Sequence, residues 1–233
     1  MPANPICVAI DTPDLDHAVA LARMLKPHVG WAKIGMEFFY AHGSAGYARV
    51  AETGLPISLD LKLHDIPNTV ASAMKALLRL SPTPGIVNLH ATGGLDMMKV
   101  AAEAVDGRAR LIAVTILTSL SDDDIWAAGF ETARNTEGHA RALAELTKRA
   151  GLDGVVCSPH DLVGIRHDLG RDFLTVVPGI RPADAAVQDQ KRVATPEAAL
   201  AAGADILVIG RAITGAADPA RAAQHILGAL HAG

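Results

Sequence analysis

Four ionisable side chains, Asp60, Lys62, His64 and Asp65, crowd into ISLDLKLHDIPNT (57–69), a segment that otherwise reads as buried strand. Taken with a period of two, Ile57, Leu59, Leu61 and Leu63 share one face, and Ser58, Asp60, Lys62 and His64 share the other. An aspartate and a lysine therefore point the same way, as a catalytic pair or a structural ion pair would. The same alternation arises in a half-solvated antiparallel strand with its polar side in water. The surrounding elements decide between the two.

Those elements alternate. Strand-like runs recur at 6–10, 31–35, 57–62, 85–90, 111–117, 154–158, 173–177 and 205–210, eight in all. Between them lie Ala- and Leu-rich segments with helical spacing, such as Leu15, Ala18, Val19, Ala22 and Leu25. Helix starts are marked by Thr12-Pro13, Thr195-Pro196-Glu197 and Asp218-Pro219, where a side-chain oxygen can cap and proline suits the first turn. Gly151 and Gly203 follow helix ends, where a left-handed residue closes the last turn. Repeated βα units imply parallel strands with right-handed crossovers, and eight of them predict a (β/α)8 TIM barrel, one α/β domain spanning 1–233. The runner-up, an open doubly wound sheet, lacks its usual phosphate motifs: no GxGxxG follows the first strand and no GxxxxGK[ST] occurs. In the barrel, parallel neighbours and covering helices turn the polar face of 57–62 inward.

Composition narrows the function classes. Half the residues are apolar and only 3% aromatic, which suits parallel strands under helices. A net charge of −4, without a basic cluster, argues against nucleic acid as a partner. There is no run long enough for a membrane span and no leader-like amino terminus, so a cytoplasmic location is expected. The two cysteines, Cys7 and Cys157, sit in apolar runs and read as buried structural thiols. The ten histidines include no pair at metal-binding helical spacing, and no metal is expected.

Barrel enzymes carry their chemistry at strand carboxyl ends. The polar residues predicted there are Asp11, Lys33, Asp60, Lys62, His90, Thr118, Ser119, Pro178 to Arg181, and Gly210-Arg211. Lys33, Asp60, Lys62 and Asp65 form an alternating set in which each charge offsets the desolvation of its neighbour. Asp65 also precedes Ile66-Pro67 at a helix start, so it reads equally as an N-cap. His64 and His90 read as structural. PGIR after strand seven and GR after strand eight join exposed backbone amides to Arg181 and Arg211, a phosphate-binding combination at the loops where barrels often bind phosphate. Gln190 lies in the long loop 178–194 and could reach the same ligand; 117–138 is the other long loop expected above the strand ends.

DLKLHDIPNT, together with AID at Asp11, AKIG at Lys33, NLHATGG from Asn88, ILTS at Thr118, PGIR from Pro178 and IGRAIT from Ile209, resembles the orotidine 5'-phosphate decarboxylase family over essentially the whole chain. The resemblance implies a decarboxylase making uridine 5'-phosphate without metal or cofactor. It implies Lys62 as proton donor to C6 of the pyrimidine within a network of Lys33, Asp60 and Asp65. Asp11 and Lys33 would hold ribose hydroxyls, and Thr118 and Pro178 would line the base pocket. Arg181, Gln190, Gly210 and Arg211 would address the phosphate. Asp65, Ile66 and Thr69 would reach a neighbouring subunit's site, which implies a homodimer. The departures, a threonine in HATGG and Ile-Asp in AID, leave every catalytic position in place. The alternatives are a magnesium-dependent sugar-phosphate decarboxylase or aldolase of the same barrel group, and a nucleotide-binding barrel without catalysis.

Overall fold

Parallel strands alternate with helices in the computed structural model, which describes residues 4–182 and 193–232. β1 (Ile6–Ile10) leads to α1 (Leu15–Leu25), β2 (Trp31–Gly35) to α2 (Met36–Ala51), β3 (Ile57–Leu63) to α3 (Pro67–Leu77), and β4 (Ile86–His90) to α4 (Leu95–Val105). β5 (Arg110–Val114) precedes α5 (Asp122–Ala127) and α6 (Thr136–Arg149), and β6 (Gly154–Val156) precedes α7 (Leu162–Leu169). β7 (Leu174–Val177) precedes α8 (Pro196–Ala201), and β8 (Ile206–Ile209) precedes α9 (Arg211–Thr214) and α10 (Pro219–Ala232). The strands pair in chain order and β8 closes on β1, so the fold is the (β/α)8 barrel and not an open sheet.

Alternation along each strand builds two apolar layers. Outward residues such as Ile6, Val8, Ile10, Ile34, Leu59 and Leu89 pack against helix positions including Ala18, Ala22 and Leu25. Each fully buried Ile or Leu contributes about 1.5–3 kcal/mol. Inward residues Cys7, Trp31, Ile86, Ile112, Leu174 and Ile206 plug the lower half of the barrel. Polar inward positions are thereby confined to the upper half, at the strand carboxyl ends.

Two local expectations shift. Asp14, not Thr12, caps α1: its carboxylate accepts the His17 amide at 2.9 Å, while the Thr12 hydroxyl accepts the Asp14 amide. The apolar run 111–117 does not stay strand to its end. β6 is three residues long and its pairing with β5 stops at Val114, so Ile116 leaves the sheet for a small separate core with Ile125 and Ala140. The segment 117–138 therefore contains a helix, α5, begun by a capping box between Ser121 and Asp124. Thr195 and Asp218 cap as expected, and Gly151 and Gly203 take φ of 82° and 106° after α6 and α8.

Candidate active site

At the carboxyl ends of the strands lies a cavity of about 440 Å³, within the range of roughly 300–1,000 Å³ usual for small-molecule sites. Asp11, Lys33, Asp60, Lys62, Thr118, Pro178, Arg181, Gly210 and Arg211 all line it. The inward positions of β1 to β4 bring the charges there. Those of β5 to β8 bring Ile112, Val114, Val156, Val176 and Val208, so the opposite wall is apolar.

The charges form a chain. Lys33 Nζ lies 2.9 Å from Asp11 Oδ1 and 3.5 Å from Asp60 Oδ2; Lys62 Nζ lies 2.7 Å from Asp60 Oδ1. Asn88 on β4 donates from Nδ2 to the same Asp60 Oδ1 at 2.6 Å. Burial would lower the Lys33 pKa, but the carboxylates of Asp60 and Asp11 outweigh it and the value is raised. Burial would likewise raise Asp60, yet Lys33, Lys62 and the two hydrogen bonds bring it below the ordinary aspartate value. Both shifts favour the charged forms. Cys7, beneath the cluster, is pushed up to about 12, chiefly by burial, so its thiol is protonated and no nucleophile.

Lys62 is held in an uncommon backbone conformation. Its φ is 51°, left-handed for a side chain that gains nothing from it. The β3–β4 register shifts at the same place, with the five residues Leu59 to Leu63 set against the three from Val87 to Leu89. The ladder cannot satisfy the Lys62 amide there, and the Asn88 side chain does so instead, accepting it at 2.8 Å. Asn88 thus fixes both the strained backbone of Lys62 and the carboxylate that pairs with its ammonium. The strict alternation read from the sequence does not survive this bulge, although Asp60 and Lys62 still face the same cavity.

Asp65 lies apart from the other charges of its own chain. β3 ends at Leu63 and the chain has turned away by Asp65, which is exposed, does not line the cavity and, among the described residues, accepts only the Ile66 amide, at 2.7 Å. Within one chain the carboxylates on Lys33 are those of Asp11 and Asp60. The N-cap reading is not met either, because the cap of α3 is Ile66 and has no side-chain bond. Ile66 is 66% exposed, unusual for isoleucine, and Thr69 is exposed beside it. His64 and His90 face one another with ring centroids 5.6 Å apart, outside the cavity lining. Burial first, then His64 and Lys62, lowers the pKa of His90.

Gly179 and Arg181, after β7, and Gly210 and Arg211, after β8, also line the cavity. The base of loop 178–194 is joined by a bridge between Ile180 and Ala194, with the Arg181 amide donating to the Ala194 carbonyl at 3.0 Å. Gln190 lies outside the described residues. Asn88 was missed by the sequence reading as a site residue. Its signal was a lone amide at an inward position of an apolar strand, which needs a partner when buried.

Comparison with known proteins gives one family. Residues 4–226 match the family described as Orotidine 5'-phosphate decarboxylase / HUMPS. An orotidine 5'-phosphate decarboxylase of Rhodospirillum rubrum is 49% identical, over 99% of this chain and 95% of its own. One from Novosphingobium aromaticivorans is 51% identical, over 96% and 98%. Among solved structures, the orotidine 5'-phosphate decarboxylase of Lactobacillus acidophilus superposes with a TM-score of 0.83 at 35% identity, covering 97% of this chain and 99% of that one.

Proposed function

The chain belongs to the Orotidine 5'-phosphate decarboxylase / HUMPS family, and from that premise we propose that it converts orotidine 5'-phosphate to uridine 5'-phosphate in de novo pyrimidine biosynthesis. The reading includes a cytoplasmic enzyme with one catalytic domain over 1–233, using neither metal nor cofactor. One observation carries it: a Lys33–Asp60–Lys62 chain on one wall, an apolar wall opposite, and two arginines lining the same cavity. A flat base, a ribose and a phosphate each meet a matching surface.

Loss of carbon dioxide from C6 leaves an electron pair in the plane of the pyrimidine, orthogonal to its π system, so the ring carbonyls cannot take up the charge directly. Stabilisation must be electrostatic, from charge already in place. The Lys62 ammonium suits this role and then supplies the proton to C6. Asp60 and Asn88 fix its position, and Lys33 and Asp11 take the ribose hydroxyls. Thr118 and Pro178 line the base, while Arg181, Gly210, Arg211 and Gln190 take the phosphate. Phosphate contacts far from C6 use remote binding energy to assemble the site.

A homodimer belongs to the same reading, with Asp65, Ile66 and Thr69 extending into the neighbouring site. The exposure of Ile66 and the absence of Asp65 from its own chain's cavity support it. The test is the loss of orotate absorbance on adding orotidine 5'-phosphate, with and without a chelator. Turnover unaffected by the chelator is expected. Binding of uridine 5'-phosphate without turnover, or turnover abolished by the chelator, would overturn the reading.

A further inference from the structure

α2 is interrupted. Gly43 has φ 57° and ψ −149°, far from helical values, in the sequence AHGSAG (41–46). A glycine in a helix interior is already unfavourable relative to alanine, so the break needs a reason. The turn before it carries His42, whose ring packs against Phe38 at a centroid distance of 4.9 Å. Its Nε2 lies 2.6 Å from the Pro13 carbonyl oxygen, across 29 residues of sequence. A carbonyl only accepts, so Nε2 bears the hydrogen, in the neutral or the charged ring alike. The helix beyond the break leaves room for this arrangement. A Cβ on Gly46 would fall 2.2 Å from His42 Cβ.

The loop tied down in this way is the one that carries Asp11, two residues before Pro13. The same helix also begins with a space kept for Asp11. A Cβ on Gly35, the N-cap of α2, would lie 3.1 Å from both Asp11 Oδ1 and Lys33 Nζ. Asp11 needs such support, because its side chain is 57% exposed and, among the described residues, forms its ion pair with Lys33 alone. An exposed carboxylate on a short loop otherwise loses its orientation to water.

We propose that His42 is a positioning residue for the proposed reaction: by donating to the Pro13 carbonyl it holds the β1–α1 loop so that Asp11 keeps its place on Lys33 and on the ribose. The inference rests on the functional reading above, and its test is separable from that reading. Turnover of orotidine 5'-phosphate by the unaltered protein comes first; if there is none, the functional reading fails before His42 is at issue. Given turnover, His42→Ala is expected to lower kcat/KM by about fivefold to tenfold, the scale of one lost hydrogen bond, mostly through KM. His42→Gln, which keeps a donor, is expected to recover most of the loss. In an Asp11→Ala background His42→Ala should cost less than twofold, since both act on one contact. Wild-type kcat/KM in His42→Ala, no recovery in His42→Gln, or the full loss again in the Asp11→Ala background would each overturn the proposal. A circular-dichroism melt on each variant separates these outcomes from misfolding. Should His42→Ala not fold, the comparison of His42→Gln with His42→Leu decides in the same way.

Discussion

Both ends of the barrel carry clusters of opposite charge, and they are built differently. At the amino-terminal end Arg166 donates to Asp205 at 2.6 Å and to the carbonyls of Gly203, Gly170 and Phe173, while Asp205 accepts the Thr175 amide at 2.7 Å. Arg110 and Asp153 repeat the pattern beside β5 and β6, with the Leu111 amide on Asp153 at 2.8 Å. Those side chains spend their hydrogen-bonding capacity on backbone that the strand starts leave unpaired. At the other end Lys33, Asp60 and Lys62 bond mainly to one another and to Asn88, and border a cavity of about 440 Å³. Saturation by backbone makes a structural clamp; charge held ready beside an open volume makes a site. The ion pairs look alike in the sequence, and only their other partners tell them apart.

The contrast can be broken from either side. Replacing Lys62 by alanine is expected to lower kcat at least about 10,000-fold, combining lost proton donation and lost electrostatic stabilisation, with uridine 5'-phosphate still bound. The melting temperature should move little, because Asp60 keeps Lys33 and Asn88 as partners. Arg166→Ala should do the reverse, costing about 3 kcal/mol of stability by denaturant titration because it orphans Asp205 and several carbonyls. Its kcat, measured well below the unfolding transition, should equal that of the unaltered protein. A loss of kcat in Arg166→Ala without a loss of stability would erase the distinction. Arg211→Ala should reduce kcat/KM about 100-fold, as one charge-assisted contact to phosphate is removed. An unchanged value would take the phosphate away from that end.

The smallest effect concerns pH. His90 has a lowered pKa, from burial first and then from His64 and Lys62, so the unfolded chain binds the proton more readily than the folded one. Stability on its account rises with pH up to about 6.5, the ordinary histidine value, and is flat above it. His90→Asn should flatten that slope below about pH 6.5 in denaturant titrations. A slope unchanged by the substitution would remove His90 as its source.

Much of the site was legible because apolar runs impose parity. In ICVAI, WAKIG and ISLDLK the outward residues must be apolar to meet helices, so Lys33, Asp60 and, by continuation, Asp11 could only point inward. Closure of the barrel followed from eight βα units. What escaped depends on partners distant in sequence. The left-handed Lys62 and its bulge are made by Asn88 on the next strand, which no pattern within 57–69 contains. β5 ends early because β6 is short, and Asp14 displaces Thr12 as a cap through a bond to His17. Asp65 lies beyond the parity of β3, so no local pattern says where it points, and the turn after Leu63 carries it out of its own chain's site.

The central claim is that Lys62 delivers the proton to C6. By microscopic reversibility the same amine removes that proton from the product. Proton NMR of uridine 5'-phosphate in deuterium oxide therefore reads the claim at the reacting atom. The protein is expected to exchange the C6 hydrogen, and Lys62→Ala is expected to leave it at the uncatalysed rate while still binding the nucleotide. Exchange at an undiminished rate in Lys62→Ala would assign the proton to another group.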